Sequence, residues 1–510
     1  MNVLFICNDP TMQLMVQENV EGANFRTLAN VDVATQYLET RVPDVALIDP
    51  ETGVGRQGDN GVRTFLERFS ALDARFGSVV MLRAPGSEYE VEAVRNPRVW
   101  TWNTCAGMDG GLDPWERLNR SLEVASSAPK ARNFRAIVTF TGDAVTLSVE
   151  ENGISVIRDR PLLTDADSKA TLEAMVIDDL EPSEIGDLRK TWRSYKSSGC
   201  NAFNALFGPI GKALISNEPN ESVEFRFDME PMQFQRRFAL PLELIALAVN
   251  DRPDGFLCNL RPMARRALHI KKRPANGDHL PHILFVNAGS AEGEFSILGD
   301  DNPARRWLPS IRDSTDAQRE RLEDLRDRDL CTLEELTLEG FNERCEARGV
   351  KKARSFRNAL ERRLCEPTDE DTAIDILHFA GHGISQRQTE TRLILPAVPP
   401  RPDEAAKDAD LLEVRELAGW LPDNVRVVFL AACQSASISA AEHLHLAKGC
   451  SLVGFRWKVV AKRIPDFVSG FYDAHLRERK SVAGAYRAAC QKAQLPEDPA
   501  WVSAVALAAD

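Results

Sequence analysis

Residues 375–385 read DILHFAGHGIS. An apolar run of strand character, ILHFA, ends in Gly381-His382-Gly383, so an imidazole stands between the two residues that leave a backbone most exposed and most permissive. A second run, RVVFLAACQSA at 426–436, has the same form and ends in Cys433. With HILFVNAG (282–289) and TRLILPAV (391–398), and with helical or loop segments between them, these runs make a βαβ pattern. That pattern predicts an α/β fold around a parallel sheet. Loops leaving the carboxyl ends of parallel strands are where ligands and catalytic groups gather, and both His382 and Cys433 fall at such ends. A cysteine becomes a strong thiolate nucleophile beside a base, and histidine has the proton affinity suited to neutral pH. Taken singly, a cysteine after VVFLAA is a small buried hydrophobe and a histidine between glycines is a turn or hydrogen-bonding residue. Together, in this order, they are far more informative than either alone.

Outward from this pair the chain divides by composition. Residues 1–125 alternate strand-like runs (NVLFIC, DVALID, SVVMLRA, RVWTW) with amphipathic helical ones, which again implies a parallel sheet flanked by helices. Residues 126–133, containing SSAPKAR, read as a linker. Residues 134–275 form a second block, opening with the hairpin-like FRAIVTFTGDAVTLSVEENG. Residues 276–510 carry the His382 and Cys433 runs, and within them PAVPPRPDEAAKDAD (396–410) has the composition of a mobile surface loop.

The whole chain bounds the function. At 510 residues with 43% hydrophobic content it has enough apolar surface for several cores without a metal or disulfide staple. A net charge of -13 supplies no field for a phosphate backbone, so nucleic acid is not expected as a direct ligand. The ten cysteines are scattered singly, with no CxxC pair and no zinc spacing, as reduced cytosolic thiols are. No apolar run approaches the length of a membrane span and MNVLFICNDP lacks a basic leader, so the expected location is the cytoplasm, with no membrane partner.

HFAGHG and LAACQSA resemble the motifs of the CHAT family of caspase-like cysteine proteases, relatives of the caspases and separase. LPLELIALAVNDRPDGFLCNLRPMAR (240–265) is similar to an early segment of that family, and residues 441–493 to its closing helix, Trp-containing strand and FY-bearing helix, so the likeness covers about 135–510. The resemblance implies a caspase-like α/β sandwich with a noncatalytic N-terminal lobe (134–275) and a catalytic domain (276–510). It implies peptide-bond hydrolysis without metal or other cofactor. By position, Cys433 is the nucleophile, His382 its proton acceptor, the backbone N–H groups of Gly383 and Cys433 the oxyanion donors, and Gln434 and Trp457 candidates for the substrate cleft. His378, inside the apolar run, reads as a core histidine, and Ser435 as a cleft residue or a helix start. Relatives place acidic residues after the tryptophan or before the nucleophile, whereas here Trp457 is followed by KVVAKR and Cys433 preceded by Ala431-Ala432. The cut-site preference therefore stays open: Lys458, Lys462 and Arg463 fit an acidic side chain or simply a solvated face.

Residues 1–125 resemble a response-regulator receiver domain, a flavodoxin-like fold, with VPDVALIDPETG (42–53) placing Asp49 at the phosphoacceptor position. Cys7 and Asn8 stand where an acidic pair would hold the metal, Arg83 where a hydroxyl would lie, and Asn103 or a neighbour in place of lysine. The expectation is a pseudo-receiver that docks an activating partner or signal, with Asp49 structural and paired to Arg83 rather than phosphorylated. The combined reading is a regulated endopeptidase making limited cuts in a partner protein, in bacterial signalling or antiphage defence. The alternative is a catalytically silent scaffold that binds partners through both halves.

Overall fold

The computed structural model describes residues 1–38, 41, 43–53, 55, 58–72, 77–82, 89, 99–103, 113–126, 133–152, 154–163, 188–215, 222–238, 240–247, 255–270, 279–289, 308–366, 373–386, 390–396, 410–457, 459, 461–493 and 503–509. Arg83, Lys458, most of the proposed linker and most of the proline-rich loop lie outside the described residues. The chain forms two compact units: Met1–Thr139, Ala144–Thr164 and Asn204–Glu224 make the first, and Phe140–Asp143, Asp165–Phe203 and Phe225–Asp510 the second. The fold is mixed α/β with parallel sheets.

In the first unit, β1 (Asn2–Ile6), β2 (Asn24–Leu28), β3 (Val45–Ile48), β4 (Gly77–Leu82) and β5 (Val99–Asn103) form a parallel sheet in the order β2-β1-β3-β4-β5. Parallel neighbours need long crossovers, supplied by the helices Pro10–Asn19, Val31–Tyr37 and Asp59–Leu72 among the described residues. Helix Pro10–Asn19 and the later Pro114–Ala125 both begin with Asp-Pro: the Asp9 and Asp113 carboxylates cap the first free N–H groups, and proline occupies the first turn where no N–H is needed. All four residues of β3, VALI, are buried, as a central strand covered on both faces requires. The unit also contains most of β6 (Phe134–Thr141), with β7 (Ala144–Glu151) and β8 (Ile154–Leu162), of which β7 and β8 pair antiparallel.

The strands of the second unit are β9 (Val223–Met229), β10 (Met263–Ala267), β11 (His282–Asn287), β12 (Thr332–Leu336), β13 (Ile376–Ala380), β14 (His382–Gln386), β15 (Glu390–Leu395), β16 (Asp410–Glu413), β17 (Val427–Ala431), β18 (Ser451–Phe455) and β19 (Ala504–Leu507). Its main sheet runs β12-β11-β13-β17-β18-β19-β10-β9, parallel from β12 to β18, with β19 antiparallel to β18. β13 (ILHFA), β17 (VVFLA) and β18 (SLVGF) are buried at every residue. Helix Ile464–Tyr472 packs against Val482–Lys492 and Leu308–Asp327. Its Phe467, Phe471 and Tyr472 meet Phe429 of β17, and Tyr472 also meets His378 of β13, in edge, tilted and stacked contacts.

One strand departs from the sequence-based expectation. Residues 390–395, expected within the βαβ pattern, instead pair antiparallel with β14 and then with β16, in a separate three-stranded sheet. The reason is connection length: only 387–389 separate β14 from β15, enough for a hairpin and far too short for a crossover. Among the described residues no helix is long and apolar enough to cross a membrane.

Candidate active site

β13 and β17 are hydrogen-bonded parallel neighbours with Ala380 opposite Ala431. The pairing continues one step, as the Gly381 N–H donates to the Ala431 carbonyl at 3.3 Å. His382 and Cys433 each stand two residues beyond that matched alanine pair, at the carboxyl ends of strands spaced by about 4.8 Å. Register alone therefore brings the two predicted residues to the same end of adjacent strands.

Gly383 meets the cysteine directly. A Cβ added there would collide with the main-chain oxygen of Cys433 and lie 3.2 Å from the Ala432 Cβ. A side chain at 383 must displace the peptide of Cys433. Gly383→Ala is therefore expected to lower the alkylation rate of Cys433 at least tenfold while the reference thiol Cys365, which is exposed, keeps its rate. Equal rates in both proteins would show that the 382–383 turn does not constrain Cys433.

Gln434 ties the cysteine loop to its surroundings. Its backbone takes the left-handed region, φ 53°, an uncommon conformation for a side chain branching only beyond Cβ. Three hydrogen bonds hold it: its N–H donates to the Trp457 carbonyl (3.2 Å), its side-chain Oε1 accepts from the Ser385 N–H of β14 (3.2 Å), and its carbonyl accepts from the Thr391 hydroxyl of β15 (2.8 Å). The loop after β17 is thus fastened to the strand that begins with His382. Ser435 is fully buried and bridges strands, donating to the Leu430 carbonyl (2.8 Å) and accepting from the Phe455 N–H (3.0 Å). It is neither an open cleft residue nor a helix cap, since Ser437 caps the following turn by accepting from Ala440.

The Cys433 sulfur is half-buried and sits against residue 459: the Val459 N–H donates to Sγ at 3.4 Å, and Sγ lies 3.7 Å from the Val459 carbonyl. His382 is also half-buried, and burial lowers its pKa, so at neutral pH it is an uncharged imidazole able to take a proton. His378 has no such freedom. Fully buried, it accepts at Nδ1 from the Tyr472 hydroxyl and donates at Nε2 to Gln318 Oε1, both at 2.9 Å, as a core histidine does.

Trp457 is buried, with its main chain pinned by Ser503: the N–H donates to the hydroxyl at 2.9 Å and the carbonyl accepts from it at 3.2 Å. Lys462 is exposed and Arg463 half-buried on the short helix Ala461–Arg463. Residues 264–504 match the family model of the CHAT domain. The matched region contains His382, Gly383, Cys433, Gln434, Trp457 and Val459. The likeness read from HFAGHG and LAACQSA falls inside the match, whereas LPLELIAL lies ahead of it. No curated protein matches the chain.

Outside the matched region, Asp49 is fully buried at the end of β3. Its carboxylate accepts from the Thr52 hydroxyl (2.8 Å), the Glu51 N–H (3.1 Å) and the Cys7 thiol (3.5 Å), while Asp9 spends its carboxylate as the helix cap. Burial pushes the Cys7 thiol up, with Thr52 opposing and Asp49 adding to the rise. No group of three or more potential metal-ligating side chains occurs among the described residues. Neither Val459 nor the buried charge cluster of Glu243, Arg265 and Arg456 carries a signature in the amino-acid pattern.

Proposed function

We propose that the chain is a regulated cysteine endopeptidase of caspase-like architecture, cutting a partner protein at one or a few bonds. The observation that carries this reading is the register of β13 with β17, which sets His382 and Cys433 side by side at the catalytic end of the sheet within the CHAT domain. Cys433 Sγ transfers its proton to His382 and attacks the scissile carbonyl. The N–H groups of Gly383 and Cys433 receive the oxyanion, and collapse of the tetrahedral intermediate breaks the C–N bond as His382 returns the proton to the leaving amine. Water, deprotonated by His382, then cleaves the thioester and frees the enzyme. Gln434 belongs to this site through its bonds to β14 and β15, and Trp457, whose carbonyl accepts from the Gln434 N–H, is the other candidate for the cleft.

The strand order β2-β1-β3-β4-β5 supports a flavodoxin-like, receiver-like first domain (1–125). A buried, hydrogen-bonded Asp49, with Cys7 in place of an acidic residue, supports a pseudo-receiver that binds an activating partner rather than one that accepts phosphate. Cytoplasmic signalling or antiphage defence is the setting that suits a limited, switchable cut. Comparison of protein termini in host cells expressing wild type or Cys433→Ala, with and without phage challenge, tests the reading. New termini in one or a few proteins, absent with Cys433→Ala, are expected. Identical termini under challenge, together with a Cys433 that reacts with a peptide electrophile no faster than the other thiols, would instead make the protein a scaffold.

A further inference from the structure

His382 opens β14, and side chains along a strand alternate between its two faces. Ile384 therefore shares a face with the imidazole, two residues and about 6.8 Å farther along the strand. Both faces continue across the small sheet, because directly opposed residues of antiparallel strands point the same way. On one face Gly383 opposes Leu393, Leu393 opposes Leu412, and Ser385 opposes Thr391. Thr391, Leu393 and Leu412 are fully buried, so that face is packed inside the protein. On the other face Ile384 opposes Arg392 and is 41% exposed.

A single exposed isoleucine on a strand is ordinary, since β-branched residues favour that backbone. Position sets this one apart. Within residues 264–504 the other large apolar side chains exposed among the described residues are Leu280, ahead of β11, and Val350, beyond the helix Leu338–Ala347. Of the three, Ile384 is the one beyond the carboxyl end of a parallel strand, on the same strand as His382. Its backbone is held there, because the next residue, Ser385, donates its N–H to Gln434 Oε1 at 3.2 Å. Arg392, opposite Ile384, lies 3.7 Å from both the Glu390 and the Glu413 carboxylates, so its charge is met within the sheet.

We propose that Ile384 is a specificity-determining residue that receives an apolar side chain from the first two substrate residues on the C-terminal side of the cut. The inference rests on the protease reading and adds to it the chemical class of the leaving segment. The side follows from the proton transfer. A group that protonates the leaving amine stands within hydrogen-bond reach of that nitrogen, so the imidazole lies where the C-terminal product begins. An extended substrate advances about 3.3–3.6 Å per residue, so the distance from His382 to Ile384 spans two substrate residues. An apolar side chain set against Ile384 takes apolar surface of both partners out of water, whereas a charged one would lose hydration there without gaining a counter-charge.

The test compares new protein termini in challenged host cells expressing the full chain as wild type, Ile384→Val, Ile384→Thr, Ile384→Asp or Cys433→Ala. Termini that depend on Cys433 are expected to carry an apolar residue in their first or second position. Ile384→Thr keeps a β-branched stem suited to the strand but replaces a hydrocarbon branch by a hydroxyl. It should lower the rate of those cuts about tenfold, the range in which one lost hydrophobic contact discriminates between substrates. Ile384→Val, one methylene smaller, should lie between Ile384→Thr and wild type, and Ile384→Asp should move the remaining cuts toward basic residues in those two positions. The urea midpoint of each variant should match wild type, because the side chain is exposed. If Cys433-dependent termini show no apolar preference, or Ile384→Thr makes the same cuts at the same rate, the subsite is overturned and the peptidase stands. A loss of cutting that tracks a fallen midpoint would make Ile384 structural and overturn the subsite too. If no strain yields Cys433-dependent termini, the protease reading falls and the subsite falls with it.

Discussion

Glu243→Gln is expected to destabilise the second unit by about 3–5 kcal/mol, the usual cost of removing one partner from a buried ionic cluster. Glu243 is buried, and its carboxylate accepts from Arg265 Nε at 2.8 Å and Nη2 at 2.6 Å, with Arg456 Nη2 3.6 Å away. Burial pushes the Glu243 carboxyl up, but Arg265 and Arg456 overcome it and hold the group below the usual carboxylate range. Two fully buried guanidinium groups thus share one negative charge. Arg265 has further acceptors in the Phe238 and Leu240 carbonyls, whereas Arg456 keeps only Phe238 O, and its Nε and Nη2 make no hydrogen bond. Burial first, and then the like charge of Arg265, bring the Arg456 pKa down to about 9. Glutamine preserves the shape of Glu243 but leaves two desolvated cations repelling each other with no counter-charge. Arg456→Met should cost less than Glu243→Gln, because it removes the surplus charge and its unpartnered donors while keeping an apolar stem against Phe238. Urea unfolding followed by fluorescence decides the matter: the midpoint should fall much further for Glu243→Gln at unchanged slope, and equal midpoints would show that the cluster carries no net electrostatic weight.

The contrast between that cluster and the dyad shows what the sequence made legible. His382 and Cys433 stand out because each follows a short, largely apolar run, and parallel strands of similar length end together. Asp49 was placed at its strand end for the same reason. The Glu243, Arg265 and Arg456 cluster gave no such signal: arginines in RPMARRALHI and GFRWK look like surface charge, and only tertiary packing buries them. The 390–395 strand reads as part of the parallel pattern because an apolar run looks the same in a hairpin as in a crossover, and only the short connection before it decides between them. Val459 was invisible because the contact to Cys433 is made by its main chain, which any residue type would supply.

Unfolding stability is expected to fall steeply as pH drops from 7 to 5, by about 4 kcal/mol, because two buried histidines must stay neutral in the fold. Burial lowers His378 to about 3 and His445 to about 4, the latter with Cys450 opposing and Arg266 assisting. Both have their nitrogens committed. His445 donates at Nδ1 to the Cys450 carbonyl at 2.8 Å and accepts at Nε2 from the Ala267 N–H at 3.0 Å, so a proton at Nε2 would face another donor. His378 would likewise lose the Tyr472 hydroxyl as a donor to Nδ1. In the unfolded chain each imidazole titrates near 6.5. Between that value and the depressed folded pKa the unfolded state binds more protons, so stability is full above about pH 6.5 and is lost as pH falls, at about 1.4 kcal/mol per unit for each histidine. The carboxylates act in a different window. Burial raises Glu334, but its bonds to His282 and Arg363 and the charges of Arg363 and Arg344 outweigh it and hold the group at about 2. Its contribution is therefore present above the unfolded carboxyl pKa of about 4.3 and is lost only below it. Urea midpoints measured from pH 7.5 to 5.0 thus isolate the histidines. His445→Gln should cut the slope of stability against pH near pH 5 by about 1.4 kcal/mol per unit while lowering the plateau at pH 7.5. A flat profile in the wild-type protein would mean that these two imidazoles accept protons without leaving their places in the core.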